Sequence, residues 1–167
     1  MGKKKSKPRQ EPESLELPLV GVESHAHLDL KEFDEDREAI IGRAKASGVA
    51  QIINVFLGPD AFEKNRHLFD GHPEVSFLLG VHPNNADQLT DDAVVRMREH
   101  IKAEPRLKGV GEIGLDYYWD RVDHDTQKEA FIKQLSLARE LDLPVVIHSR
   151  DANEDCIDML VDQGFKD

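Results

Sequence analysis

The stretch VESHAHLD, Val22 to Asp29, carries two histidines separated by one alanine, directly after a short apolar run. In a strand, residues i and i+2 share a face, so His25 and His27 point the same way. Two neutral imidazoles so placed can bind one divalent cation, provided a neighbour holds the second nitrogen of each ring. The plain alternative is a pair of hydrogen-bonded core histidines. Glu112 and His148 close later apolar runs, and a third imidazole with a carboxylate at such places favours the metal reading: His25, His27, Glu112 and His148 as ligands. Glu112 lies in GVGEIGLDYY. A carboxylate is costly to bury unless it is paired or bound to a cation, and its two oxygens can bridge two metals ~3.5–4 Å apart. Gly111 and Gly114 leave space beside it. Pairing of Glu112 with Arg150 or a lysine is the structural alternative. In VVIHSRDA, Arg150 follows His148 by two positions and shares its face. Its guanidinium can take a phosphate through two hydrogen bonds, or pair with Asp116 or Asp151. His82, in GVHP, suits a further ligand, a substrate contact or a proton carrier, and equally a histidine hydrogen-bonded to a ligand. His67, His72, His100 and His124 fall on helices or their flanks and read as surface residues.

The elements that must position these groups alternate. Apolar runs of strand length occur at Leu19–Val22, Gln51–Leu57, Val75–Val81, Leu107–Ile113 and Pro144–Ile147. Helical periodicity lies between them. Asp34 is placed to cap a first helix with Ile40, Ile41 and Ala44 inward, stopped by Gly48. Asp60 caps a second, and Thr90 a third carrying Val94, Met97 and Ile101. Thr126 and Glu129 form a capping-box pattern for a fourth with Phe131, Leu135, Ala138 and Leu141 on one face. A fifth begins near Asp151 and fades at Gly164. Strand and helix alternating five times predict βα units and a parallel sheet. The polar run ends His27, Asn54 or its neighbours, His82, Glu112 and His148 are separated by 27, 28, 30 and 36 residues, counted from Asn54. A (β/α)₈ barrel uses roughly 31 per unit. In a barrel these groups converge on the mouth at the carboxyl ends of the strands, where catalytic groups sit. In an open doubly wound sheet they form a row.

Composition limits the rest. A chain of 167 residues with 39% apolar and 33% charged residues suits one globular domain. Met1 to Arg9 holds five basic residues and no acid, followed by a polar stretch rather than the apolar core of an export signal. Residues 1–18 are expected to be a disordered basic and polar tail, and 19–167 the folded domain. Net charge is −11, and without the five tail positives 17 basic face 33 acidic residues. That balance argues against a broad nucleic-acid surface but allows a locally held substrate phosphate. One cysteine, Cys156, excludes an intrachain disulfide and fits a reducing, cytoplasmic setting. It reads as a packed thiol far from the strand ends. The spacing G-x-G-x-x-G in GVGEIG sits within a strand and opens no helix, so it is no phosphate loop.

The motifs SHAHLD (Ser24–Asp29), GVHP (Gly80–Pro83), GEIGLDYY (Gly111–Tyr118) and PVVIHSRDA (Pro144–Ala152) together resemble the TatD-related metal-dependent deoxyribonucleases, a TIM-barrel branch of the metal-dependent hydrolases. The resemblance runs from Gly21 to the end of the sequence. It implies a partial TIM-type (β/α) barrel of about the first five units, with His25 and His27 on one metal, Glu112 bridging both and His148 on the second. It also implies two divalent ions (Mg, Mn, Zn or similar), Glu112 as catalytic residue, and Arg150 or His82 on the substrate. The implied activity is phosphodiester hydrolysis at single-stranded DNA ends, exonuclease-type, with a monomer expected only of the complete protein; no apolar run approaches the ~20 residues of a membrane helix, so no membrane partner is expected. The family pattern continues for three more units, with a further metal-binding His and an Asp that have no counterpart here. The chain is therefore expected to be a piece of a longer protein, the alternative being a remnant that binds metal poorly. Two other functions compete: an amidohydrolase-type enzyme cleaving C–N or ester bonds, and a non-catalytic metal-binding module. Many amidohydrolases place a modified lysine where this chain has Glu112, which favours the phosphodiesterase reading.

Overall fold

The structure, a computed structural model, describes residues 11–119 and 121–165. Five strands alternate with five helices: β1 (Gly21–Ala26), α1 (Arg37–Ala46), β2 (Val49–Leu57), α2 (Pro59–Asn65), β3 (Val75–Gly80), α3 (Asp91–Ala103), β4 (Leu107–Asp116), α4 (His124–Glu140), β5 (Val145–Arg150) and α5 (Asn153–Asp162). The strands form one sheet in chain order, each parallel to the next. A doubly wound sheet reverses its strand order at a switch point; this sheet has none and curls as a half-barrel. The order therefore decides between the two layouts that periodicity leaves open.

Local chemistry sets most boundaries. Thr90 caps α3 as expected, its hydroxyl accepting from Ala93 N at 3.1 Å. The cap of α4 lies three residues before the expected one: Asp123 accepts from Thr126 N at 2.9 Å and from the Thr126 hydroxyl at 2.7 Å, so Thr126 is a partner of the cap. For α1 the N-cap is Asp36, and Asp34 instead binds Arg37 at 2.8 Å. β1 begins later and runs further than the apolar run Leu19–Val22. Backbone pairing with β2 carries it through Glu23 and, after a register shift, to Ala26, so the polar residues up to His25 belong to the strand. Of the expected tail, residues 1–10 lie outside the described residues. Pro12–Leu15 form a turn of 3-10 helix, and Val20 N and Gly21 N both donate to Gly48 O.

The core lies between the sheet and its helices. Phe56, Phe62, Phe69 and Phe77 form a mutually packed cluster with ring centroids 5.2–6.3 Å apart, mostly edge to face. Met97, Phe131, Leu135 and Ala138 close it from α3 and α4, all fully buried. Two buried glutamines interrupt this apolar face of α4. Gln134 accepts from Val81 N (2.7 Å) and donates to Val81 O (3.0 Å); Gln127 does the same at Asp116 (2.8 and 3.0 Å). Seven residues apart, they lie two helical turns from each other on one face. Each ties α4 to the backbone where a strand delivers a polar residue.

Candidate metal centre

β1, β4 and β5 bring four of the expected residues together. Glu112 Oε2 lies 3.1 Å from His25 Nε2 and 3.8 Å from His27 Nε2, while Oε1 lies 2.9 Å from His148 Nδ1. The rings of His25 and His27 are 5.1 Å apart. Two triads result, His25–His27–Glu112 and His82–Glu112–His148, each with its ligand-type atoms within 4.8 Å of one another, and Glu112 belongs to both. Among the described residues the alternative pairing of Glu112 with Arg150 or a lysine does not form; its side-chain partners there are imidazoles.

Hydrogen bonds around the centre fix where the lone pairs point. His27 Nδ1 lies 3.0 Å from Val55 O, which can only accept, so Nδ1 carries the proton and Nε2 turns its lone pair toward Glu112. His148 Nε2 lies 3.0 Å from Asp116 Oδ2, which leaves Nδ1 facing Glu112 Oε1. With the Nε2 proton held by Asp116, Nδ1 keeps a lone pair that can take a cation or a donated proton beside Glu112 Oε1. Acceptors converging on one carboxylate from opposite sides are the donor set of a cation site, and nitrogen and oxygen ligands of this kind suit divalent first-row metals. The residues present thus fit a metal.

Electrostatics agree with the geometry. Burial works to raise the Glu112 pKa, but the His148 hydrogen bond and the fields of His82, His25 and His148 outweigh it and take the carboxyl down to about 2. The Glu112 hydrogen bond lifts His148 above its ordinary value. Burial lowers His82.

His82 sits against this centre, with Nε2 3.1 Å from His148 Nδ1. Its Nδ1 accepts from Asn84 N at 3.1 Å, so the neutral ring carries its proton on Nε2 and presents a donor there. Arg150 departs from the sequence expectation. Among the described residues it pairs with neither Asp116 nor Asp151; its guanidinium lies 3.9 Å over the Tyr118 ring and 5.5 Å from Trp119. The space beside Gly111 and Gly114 is not open either, because β5 fills it. A Cβ on Gly111 would lie 2.8 Å from Val146 Cβ, and one on Gly114, where φ is +140°, would fall on the carbonyl oxygen of His148. Cys156 is buried as expected but lies close to the centre's frame, Sγ 3.9 Å from His148 O. Of the remaining histidines, His67 and His124 are exposed, whereas His72 and His100 are half-buried against Glu38 and Glu63.

The family model described as TatD related DNase matches residues 22–167. The chain belongs to the TatD-related DNase family. The uncharacterized metal-dependent hydrolase YabD of Bacillus subtilis (strain 168) is 35% identical over 142 residues, 85% of this chain and 55% of the relative. The 3'-5' ssDNA/RNA exonuclease TatD of Erwinia tasmaniensis is 34% identical over 137 residues, 80% of this chain and 52% of its own length. The crystal structure of YjjV, a TatD homologue from Escherichia coli K12, superposes with a TM-score of 0.79 at 28% identity, over 86% of this chain and 56% of its own. The chain spans about half the length of the curated relatives it matches.

Three further polar residues of this TatD-related chain hold the centre in place, and of these only Asn54 stands out in the sequence, as a polar run end. Asp116 is 1% exposed and orients His148. Asn54 accepts from Leu28 N at 2.6 Å and donates to Asp29 Oδ1 at 3.0 Å, so this polar residue, three positions before the end of β2, holds the loop after His27 instead of entering the centre. Asp29 in turn accepts from Asn65 at 3.3 Å, and Arg37 donates to Leu28 O at 2.6 Å. Asp29 is visible in SHAHLD, yet its partners lie 25 and 36 residues away.

Proposed function

We propose that residues 19–167 form the metal-binding part of a phosphodiester hydrolase acting on single-stranded nucleic-acid ends. The observation that carries the reading is the placement of the two oxygens of Glu112 toward two separate imidazole groups. The name of the Erwinia relative, an ssDNA/RNA exonuclease, supports the substrate class. His25, His27 and Glu112 would hold one divalent cation, and Glu112 with His148 a second; together they would supply Lewis-acid charge to a scissile phosphodiester. The chain's own groups do the rest. Glu112 stays ionised at any working pH and bridges the two halves of the centre. Val55 O and Asp116 keep His27 and His148 turned so that each offers a lone pair. His82 Nε2–H faces His148 Nδ1; burial lowers its pKa and keeps it a neutral donor, which would pass to a nonbridging phosphate oxygen if a cation took that nitrogen. Arg150 offers its guanidinium edge to an adjoining phosphate.

The test combines metal content with hydrolysis of an end-labelled single-stranded oligonucleotide by the metal-loaded chain. Retention of metal after dialysis, with release of nucleotides, is expected, and Glu112→Ala abolishes both. Retained metal with no cleavage of any phosphodiester would reduce the reading to a metal-binding module.

A further inference from the structure

Just beyond β4 the chain places two large aromatic rings in solvent. Tyr118 and Trp119 are 54% and 44% exposed, while five of the seven phenylalanines are buried. The two rings meet edge to face, with centroids 4.9 Å apart. Two guanidiniums lie over them: Arg150 Cζ is 3.9 Å from the Tyr118 centroid, and Arg121 Cζ is 5.7 Å from that of Trp119. Exposed aromatics of this size forfeit burial that a purely structural role would use.

The group is fastened to the candidate centre. Tyr118 N and Trp119 N donate to Asp116 Oδ1 at 3.1 and 3.0 Å, and the other oxygen of the same carboxylate holds His148 Nε2 at 3.0 Å. Arg150 pairs in register with Asp116 across β4 and β5 and follows His148 by two residues. One buried carboxylate thus fixes the aromatic pair, and one strand carries both His148 and the arginine.

We propose that Tyr118, Trp119, Arg150 and Arg121 form a stacking platform for an unpaired base, delivering the adjoining phosphate to the centre built on Glu112 and His148. This rests on the hydrolase reading above and adds to it the subsite that holds the strand. An aromatic face accepts any base but needs one whose own face is uncovered, which selects single strands over duplex. The guanidiniums extend the stack and offer N–H edges to phosphate. With a net charge of −11 the molecule repels a polyanion at large, so attraction has to be local. Two phosphate contacts give a shallow salt dependence, a slope of log K on log salt of about −1.4.

Trp119 is the only tryptophan of the chain, so its fluorescence reports this place alone. The chain is titrated in EDTA, where no cleavage occurs, with an oligothymidylate of roughly ten nucleotides, with the same backbone lacking bases, and with duplex. Saturable quenching by the oligothymidylate alone is expected. Tyr118→Ala should weaken it at least about fivefold and Tyr118→Phe should restore it, since the ring and not the hydroxyl does the stacking. Equal quenching by the baseless backbone or the duplex, or an unchanged affinity in Tyr118→Ala, overturns the platform. Oligonucleotide release by the metal-loaded chain is measured separately. Quenching without cleavage upholds the platform and removes the hydrolase reading; cleavage without quenching, with KM unchanged in Tyr118→Ala, removes the platform alone.

Discussion

Asp116 does more for the centre than its place in the sequence suggests. The hydrogen-bond partners of its carboxylate are His148, Asn84 and the backbone amides of Tyr118 and Trp119. Asp116→Asn keeps the shape and the carbonyl-type acceptor but loses the charge that makes His148 a stronger ligand. The expected outcome is metal affinity lower by about 10–100-fold with metal ligation otherwise intact, read by competition with a chelating dye. A fall no larger than twofold would show that Asp116 only packs. The four ligand-type residues are legible in the sequence because each is a polar group ending an apolar run, a pattern that packing alone does not produce. Asp116 is not, because its partners are backbone groups or side chains distant in sequence; Asn54 shows the same run-end pattern as the ligands, yet it binds Leu28 N and Asp29. For His82 several roles stay open at that level because its tautomer is set by Asn84 N, a contact that no residue pattern announces.

At the scale of elements, two glycines make opposite predictions. Gly114 in β4 has φ +140° and the carbonyl of His148 where a Cβ would sit, so Gly114→Ala must strain the backbone or push β5 away. Destabilisation above about 1 kcal/mol in urea titration is expected, with weaker metal binding because His148 moves. Gly42 lies in the middle of α1, and a Cβ added there would meet nothing within 4 Å, so Gly42→Ala should stabilise by about 0.5–1 kcal/mol. His72 supplies a pH-dependent tie between α1 and the start of β3. Its ring lies 2.9 Å from Glu38 and 3.5 Å from Glu74, and the Glu38 hydrogen bond raises its pKa above the ordinary 6.5. A raised folded-state value means that this stabilisation is fully present below pH 6.5 and fades as pH rises through the higher folded value. Because Glu38 is 76% exposed, the effect should stay under about 1 kcal/mol. Urea midpoints on either side of that window should drift downward with pH in the parent and less steeply in His72→Gln, the residual slope coming from His148, whose pKa is also raised. Helix existence is legible at this scale from periodicity, whereas caps are not always so. Asp123 and Thr126 are both good capping residues, and only the chain path from β4 into α4 selects the first. Gln127 and Gln134 share the spacing of the apolar face they interrupt, a signal available in the sequence, but their targets, Asp116 at the end of β4 and Val81 just after β3, come from other elements.

For the whole molecule, the sequence shows five βα units but not the order of strands in space, since alternating periodicity is the same in a barrel wall and in a doubly wound sheet. The observed order puts β1 and β5 at the two edges, and among the described residues neither has a second strand beside it. The candidate ligands lie on or just after these edges, His25 and His27 with β1 and His148 on β5, joined through Glu112 on β4. A cation held by His25, His27 and Glu112 would link the first and fourth strands across the concave face, a connection that no strand pairing supplies, and one held by Glu112 and His148 would fasten β5 to β4. Binding to the folded state alone adds stability of about 2.7 kcal/mol at a free metal concentration of 100 Kd. The gain should be uneven. The buried middle of the sheet, with Phe56 and Phe77 fully enclosed, is already held by packing, whereas β1 and β5 are largely exposed or half-buried and open first. Hydrogen exchange followed with and without added Mn²⁺ should therefore slow most at the amides of β1 and β5 and least in β2 and β3. His27→Ala should cancel the protection of β1. Uniform slowing across the sheet would mean that the metal acts through global stability, and no slowing at β1 would mean that His25 and His27 do not share a cation with Glu112.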